Sequence, residues 1–383
     1  MRLGLLPKLI LGIITGILLG SFMPEIFIRI FVTFKDIFGQ FLGYIIPFII
    51  IAFVAPGIAD LGKDAGKLLG ITTGLAYLST ITAGFAAFFI GKAILPSLVT
   101  AGTASNPEEA LLTGLMQIKI DPMMGVMTAL VTAFLLGLGM ASINNKSLYG
   151  VMDDFKLIIE KVIAKLIIPL LPIYIAAVFA NMTYAGEIAH TMATFIKVFA
   201  LIIILHSAYL LTMYFVSGTI SGVNPLKALK NMLPAYFTAI GTQSSAATIP
   251  VTLRQAKKNN ISEEVADFAV PLCATIHLAG STITLVICSM AVMLISGIVP
   301  EISSYLTFIL MLGITMIAAP GVPGGAVMAA LGLLELYLGF GETANALMIA
   351  LYLTQDSFGT ATNVTGDGAI ALLVDKANSL FKK

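Results

Sequence analysis

From residue 10 onward the sequence is a succession of apolar runs. Each is close to or above the roughly 20 residues that an α-helix needs to cross the hydrocarbon of a bilayer. Unbroken runs occupy residues 10–32, 38–58, 67–95, 123–143, 158–181 and 192–220. The pattern then changes. Residues 226–252 are apolar but interrupted by Gln243, Ser244, Ser245 and Pro250. A long apolar stretch covers 262–298, and a second broken one, 303–338, contains Pro320-Gly321-Val322-Pro323-Gly324-Gly325. The last stretch, 342–381, carries Asp356, Asn363 and Asp367. Of the 383 residues, 58% are hydrophobic and 11% charged, against about a quarter charged in soluble domains. A soluble core of this size could not hide so much apolar surface, so the bilayer is the natural solvent. The N-terminal run has the outline of a signal peptide but lacks a small-residue cleavage site. With so many runs after it, we read it as the first membrane helix.

A net charge of +1 gives no reason to expect a nucleic-acid partner. Cys273 and Cys288 fall in one apolar stretch and define neither a disulfide framework nor a metal spacing. Trp is absent, so an interfacial aromatic belt falls to Tyr and Phe. The basic residues set the topology. Arg2, Lys8, Lys63, Lys67, Lys146, Lys156, Lys161, Lys165, Lys227, Lys230, Arg254, Lys257, Lys258, Lys376, Lys382 and Lys383 all satisfy the positive-inside rule if they are cytoplasmic, as are both termini. The opposite links, 185–190 and 300–304, have neither Lys nor Arg. With Lys230 and Arg254 on one side, 226–252 enters and leaves by the same face, as a re-entrant helical hairpin. By parity 303–338 does the same from the outside. Irregular backbone cannot face lipid, so both hairpin tips are expected in protein or a wet cavity. Hairpin, helix, hairpin, helix in opposite orientations is an inverted repeat, and paired interrupted segments point to a transporter's binding site.

At this point the residues resemble a known family, the dicarboxylate/amino acid:cation symporters that include the glutamate transporters. Ser244-Ser245-Ala246-Ala247-Thr248-Ile249-Pro250 resembles the serine-rich tip of the family's first hairpin. Ala274-Thr275-Ile276-His277-Leu278-Ala279-Gly280-Ser281 stands where the family has a polar unwound motif. Gly321-Val322-Pro323-Gly324 resembles the second tip, and Asp356 through Asn363-Val364-Thr365-Gly366-Asp367 the substrate- and sodium-binding last helix. The four match in order and spacing over 226–383; the first half matches by helix count and hydropathy alone.

The resemblance implies an all-α polytopic membrane protein with about eight transmembrane helices, two re-entrant hairpins, inverted repeats and an elevator-type mechanism. Residues 1–66 and 121–185 would form a scaffold that assembles into a homotrimer. Residues 67–95 and 190–383 would form a transport domain, with 96–120 a loop to which we attach no function. Asp356 would bind the substrate's α-amino group. Ser244, Ser245 and Asn363 would hold its carboxylate, and Ser281, Thr360 and the Val322 backbone would line its side-chain end. Sodium would sit at Cys273, His277, Asn363 and Asp367, and a second ion at Thr275, Met316, Ile317 and Ala319. A hard cation wants such carboxylate and carbonyl oxygens. No organic cofactor is implied.

The departures are informative. Where acidic-substrate relatives carry Arg three residues after the Asp356 position, this chain has Gly359, and Gln243 replaces another Arg. No Lys or Arg occurs between Lys258 and Lys376, so a side-chain carboxylate would be buried without a partner. The motifs look more like the serine/threonine branch. Ala279 and His277 replace groups that the family's third sodium needs, so fewer coupled ions are expected. The reading is a sodium symporter for a small neutral amino acid in the cell (inner) membrane. Its rivals are a proton-coupled or organic-acid symporter, His277 carrying the proton, and an anion channel or substrate sensor on the same scaffold. An enzyme is disfavoured, since no nucleophile–base or metal-ligand constellation is visible.

Overall fold

A computed structural model describes residues 5–62, 67–99, 111–116, 118–143, 147–186, 188–319 and 323–381. Among them every regular element is helical. The expected boundary between the first two helices is displaced. Helix α1 spans Leu5–Phe22, the chain turns at Met23-Pro24, and α2 runs unbroken over Glu25–Gly62. Lys35 and Asp36, which separate the two apolar runs, lie inside α2 and pair at 2.8 Å. A paired acid and base need no loop to be tolerated. At 1.5 Å per residue, the 38 residues of α2 reach about 57 Å.

Helix α3 covers Lys67–Leu98 and α4 Val126–Ser142. The helix expected at 158–181 starts earlier. Helix α5, Ser147–Val162, passes through a π-turn at Ile163–Ile167 into α6, Ile168–Tyr184. Asp153, Asp154, Lys156, Glu160 and Lys161 lower the hydropathy of α5, yet Met152 and Ile159 are buried seven residues apart on one face. Helix α7 is Ile188–Ser221.

The first broken stretch forms two helices, α8 (Pro225–Thr242) and α9 (Ser245–Lys257), which pack along each other. The second forms α12 (Ile302–Ile317) and α13 (Gly325–Leu338), also packed arm to arm. Two stretches expected as continuous helices are broken. Residues 262–298 divide into α10 (Glu263–Ile276) and α11 (Ala279–Ile295) at His277-Leu278. Residues 342–381 divide into α14 (Glu342–Leu353) and α15 (Asp356–Phe381) at Thr354-Gln355. Neither break has Pro or Gly at it, so hydropathy hid both.

Among the described residues, five runs are long and apolar enough to cross a membrane: Glu25–Ala59, Leu68–Leu98, Ser147–Tyr184, Thr191–Ser221 and Glu263–Ile295. Shorter apolar helices, including Pro7–Phe22 and both arms of the second hairpin, lie among them. Helices α1, α2, α4, α5 and α6 pack chiefly on one another, and so do α3 and α7–α15. Carbonyl oxygens of Pro172, Ala176 and Ala180 on α6 lie within 2.5 Å of where Cβ atoms would stand on Gly12, Gly16 and Gly20. That glycine stripe brings the α1 and α6 backbones together. In the second group α15 is central, touching α3, α7, α8, α9, α10 and α11. The groups meet mainly where α13 lies on α2 and α4, and where α14 meets α6.

Candidate substrate and cation site

Both hairpin tips and both helix breaks converge on one cavity of about 30 Å³. Gln243 and Ser245 line it from the first hairpin; Thr275, Leu278 and Ser281 from α10 and α11; Ala319 and Ala326 from the second; and Asp356, Thr360 and Asn363 from α15. The spacing from Asp356 to Thr360, Asn363 and Asp367 is four, three and four residues, which puts all four on one face of α15. Lys and Arg are absent from the described lining.

Each wall has a local cause. Gln243 adopts a left-handed conformation, φ 53°, which ends α8 abruptly. Ser244 caps α9 by accepting a hydrogen bond from the Ala247 N–H at 3.3 Å. Ser245 therefore opens α9, where free N–H groups and the helix dipole present positive charge. The Gln243 amide donates to Ser357 Oγ at 2.8 Å and ties this tip to α15.

Gly324, at φ +76°, caps α13 and donates its N–H to Asp356 Oδ2 at 2.8 Å. A Cβ at Gly324 would stand 2.8 Å from Leu353 Cδ2, so this contact requires glycine for both space and conformation. Asn363 Oδ1 accepts from the N–H groups of Gly280 at 2.8 Å and Ser281 at 3.2 Å. The broken helix is thereby capped by a residue 83 positions away. The Asn363 amide donates to Ser281 Oγ at 2.9 Å and has a second N–H to offer.

Asp367 and His277 are wholly buried below this cavity, with His277 Nδ1 3.0 Å from Asp367 Oδ1. His277 Nε2 is 3.0 Å from Ser79 Oγ on α3. Tyr209 on α7 donates its hydroxyl to the Ser79 carbonyl at 2.6 Å. Gly366 leaves room for the imidazole, whose Cε1 lies 2.7 Å from where a Cβ would stand. Asp367 Oδ2 is buried without a partner. An uncompensated carboxylate oxygen beside the end of α10, where Cys273 and His277 lie, fits a hard monovalent cation.

The other expected cation residues divide. Thr275 and Ala319 line the cavity. Met316 and Ile317 form the last turn of α12, whose carbonyl-bearing end is the negative end of its dipole. Pro320, Gly321 and Val322 lie outside the described residues, and the expected Val322 contact lies there with them. Sequence reasoning passed over Ser79, Tyr209 and Tyr352, and took Gln243 only as a missing cation. Polar residues in otherwise apolar helices were the available signal for Ser79 and Tyr352.

The sodium:dicarboxylate symporter family profile matches residues 5–377. Over 280 residues the chain is 24% identical to Excitatory amino acid transporter 2 of Homo sapiens, covering 71% of this chain and 48% of that protein. Over 252 residues it is 27% identical to the Serine/threonine transporter SstT of Acinetobacter baumannii, covering 64% of this chain and 62% of that one. The chain thus spans about half the length of the human relative and under two thirds of the bacterial one. With the profile running from the first helix to the last, this all-helical chain belongs to the sodium:dicarboxylate symporter family, a family of transporters and not of enzymes.

Proposed function

We propose that this protein is a secondary symporter that couples sodium entry to the uptake of a small neutral amino acid. The carrying observation is the charge pattern of the cavity. One buried carboxylate, Asp356, faces the start of α9 and the Asn363 amide, and no Lys or Arg joins them. An ammonium suits Asp356, and an α-carboxylate suits Ser244, Ser245 and Asn363. A second acidic group on the substrate would meet no cation. The name of the bacterial relative, a serine/threonine transporter, supports the same substrate class, with Ser281 and Thr360 at the side-chain end.

In this reading one sodium ion uses Asp367 Oδ2 with main-chain oxygens of Cys273, His277 and Asn363. A second uses main-chain oxygens of Thr275, Met316, Ile317 and Ala319. A third has no site, since Ala279 supplies no acid and His277 is engaged with Asp367 and Ser79. Helices α1, α2, α4, α5 and α6 are the fixed scaffold, through which the protein trimerises in the cell membrane with both termini cytoplasmic. Helices α3 and α7–α15 are the moving unit. The Gly324–Asp356 contact closes the second hairpin over a cavity that holds about two waters, so a solute enters only when that tip lifts.

The test is uptake of labelled serine by proteoliposomes, with an inward sodium gradient and without sodium, for the wild type and Asp356→Ala. Concentrative uptake that requires both sodium and Asp356 is expected, with a loss of at least about a hundredfold in the variant, since a desolvated ion pair is removed. Uptake driven by a proton gradient without sodium would overturn the coupling; passive, non-saturable flux would indicate a channel.

A further inference from the structure

We infer that Tyr352 reads the substrate's side chain and makes the site selective for a side-chain hydroxyl; this rests on the symport reading above. Tyr352 occupies the last turn of α14, four residues before Asp356 and just ahead of the break at Thr354-Gln355. Its side chain is completely buried. Its hydroxyl reaches toward the Asp356 carboxylate and the Ser281 hydroxyl but completes a well-formed hydrogen bond with neither. Buried hydroxyls in proteins are nearly always hydrogen-bonded, and an exception calls for an explanation. Here the two groups it reaches toward both line the cavity, so the missing partner is one that arrives with the substrate.

The surroundings limit what that partner is. Ser281 Oγ already accepts from the Asn363 amide, which leaves its own proton free to donate. Gly359 presents no side chain; a Cβ there would meet the Ser281 backbone and Thr284 Oγ1 at 3.6 Å. The charged group beside Tyr352 is Asp356, which repels a second carboxylate and is claimed by the α-amino group. What remains is a pair of hydroxyls, Tyr352 and Ser281, able to donate to and accept from one hydroxyl on a short side chain. A substrate with a methyl group in that place leaves the Tyr352 hydroxyl and the Ser281 proton unpaired. Sites built around a hydroxyl reject the analogue that lacks it far more strongly than apolar pockets reject an added one. The inferred class is therefore the short β-hydroxy amino acids, in preference to alanine of nearly equal size.

The experiment compares labelled serine and alanine in uptake driven by an inward sodium gradient for the wild type, Tyr352→Phe and Ser281→Ala. The Phe variant keeps the ring and removes only the oxygen. The wild type is expected to prefer serine over alanine in kcat/KM by about tenfold or more. In Tyr352→Phe that ratio falls to near one, through a higher KM for serine. Ser281→Ala, which does not disturb the Tyr352 ring, lowers the ratio in the same direction. A ratio that stays at the wild-type value, or serine and alanine uptake lost in equal proportion, overturns the inference. So does a wild type that accumulates both amino acids without discrimination, and in that case the symport reading survives. A wild type that accumulates neither brings down the symport reading, and this inference with it.

Discussion

A carboxylate buried within a membrane protein persists only where something compensates it, and the two in the core of this chain are compensated differently. Asp356 receives a backbone N–H from the second hairpin, whereas Asp367 shares one oxygen with His277 and keeps the other unpartnered. The first arrangement is interruptible and suits a group that binds and releases. The second leaves a fixed half-satisfied anion, which suits an ion that completes it. Asp367→Asn is therefore expected to raise the sodium concentration for half-maximal serine uptake by about tenfold or more, because charge attraction in a dry site is lost. Sodium titrations of uptake in the variant decide this, and an unchanged sodium dependence would remove Asp367 from the cation site. The spacing of Asp356, Thr360, Asn363 and Asp367 on one helical face was legible in the sequence, since it needs only the helical period. The pairing of His277 with Asp367 was not, because the two lie 90 residues apart and meet only after α10 and α15 pack.

At the scale of elements, both hairpins could be read from their Ser-, Pro- and Gly-rich interruptions, whereas the break at Thr354-Gln355 could not. It has no breaker residue: the Gln355 N–H turns back to the Tyr352 carbonyl, and the second hairpin bonds only the Asp356 side chain just beyond it. The start of α2 was misplaced for the converse reason: Lys35 and Asp36 look like a loop until they are seen to neutralise each other. The α10/α11 break depends on a close approach to α15. At Gly280 a Cβ would lie 2.5 Å from the Gly359 carbonyl oxygen and 2.6 Å from Thr362 Cβ. Gly280→Ala is expected to destabilise the protein by about 1–3 kcal/mol through overpacking. Gly43→Ala, where nothing lies within 4 Å, is the control. Thermal unfolding in detergent should show a lower Tm for the first only; equal melting would mean that the α11–α15 contact is loose.

For the whole molecule, the separation into two packed groups makes relative motion a testable matter. At the contact between α2 and the end of α12, a Cβ on Gly57 would stand 3.1 Å from Ala318 Cβ, near the ~3.8 Å typical of disulfides. In Gly57→Cys with Ala318→Cys, oxidation is expected to abolish serine uptake and reduction to restore it. Full uptake by completely cross-linked protein would show that the second hairpin never parts from α2. The broken helices bear on how such motion proceeds. Around the α10/α11 break, peptide groups find their partners in other helices of the same group: the Gly280 and Ser281 N–H groups in Asn363, and the Gly280 carbonyl in His206. Shifting that segment alone into lipid would strand several polar groups, each at a cost of several kcal/mol. In the proposed mechanism the cargo compartment therefore travels inside its casing, like a sealed capsule in a tube. Its inner lining is therefore free to be re-specified for a different cargo while the greasy outer wall, and the track it runs on, stay the same.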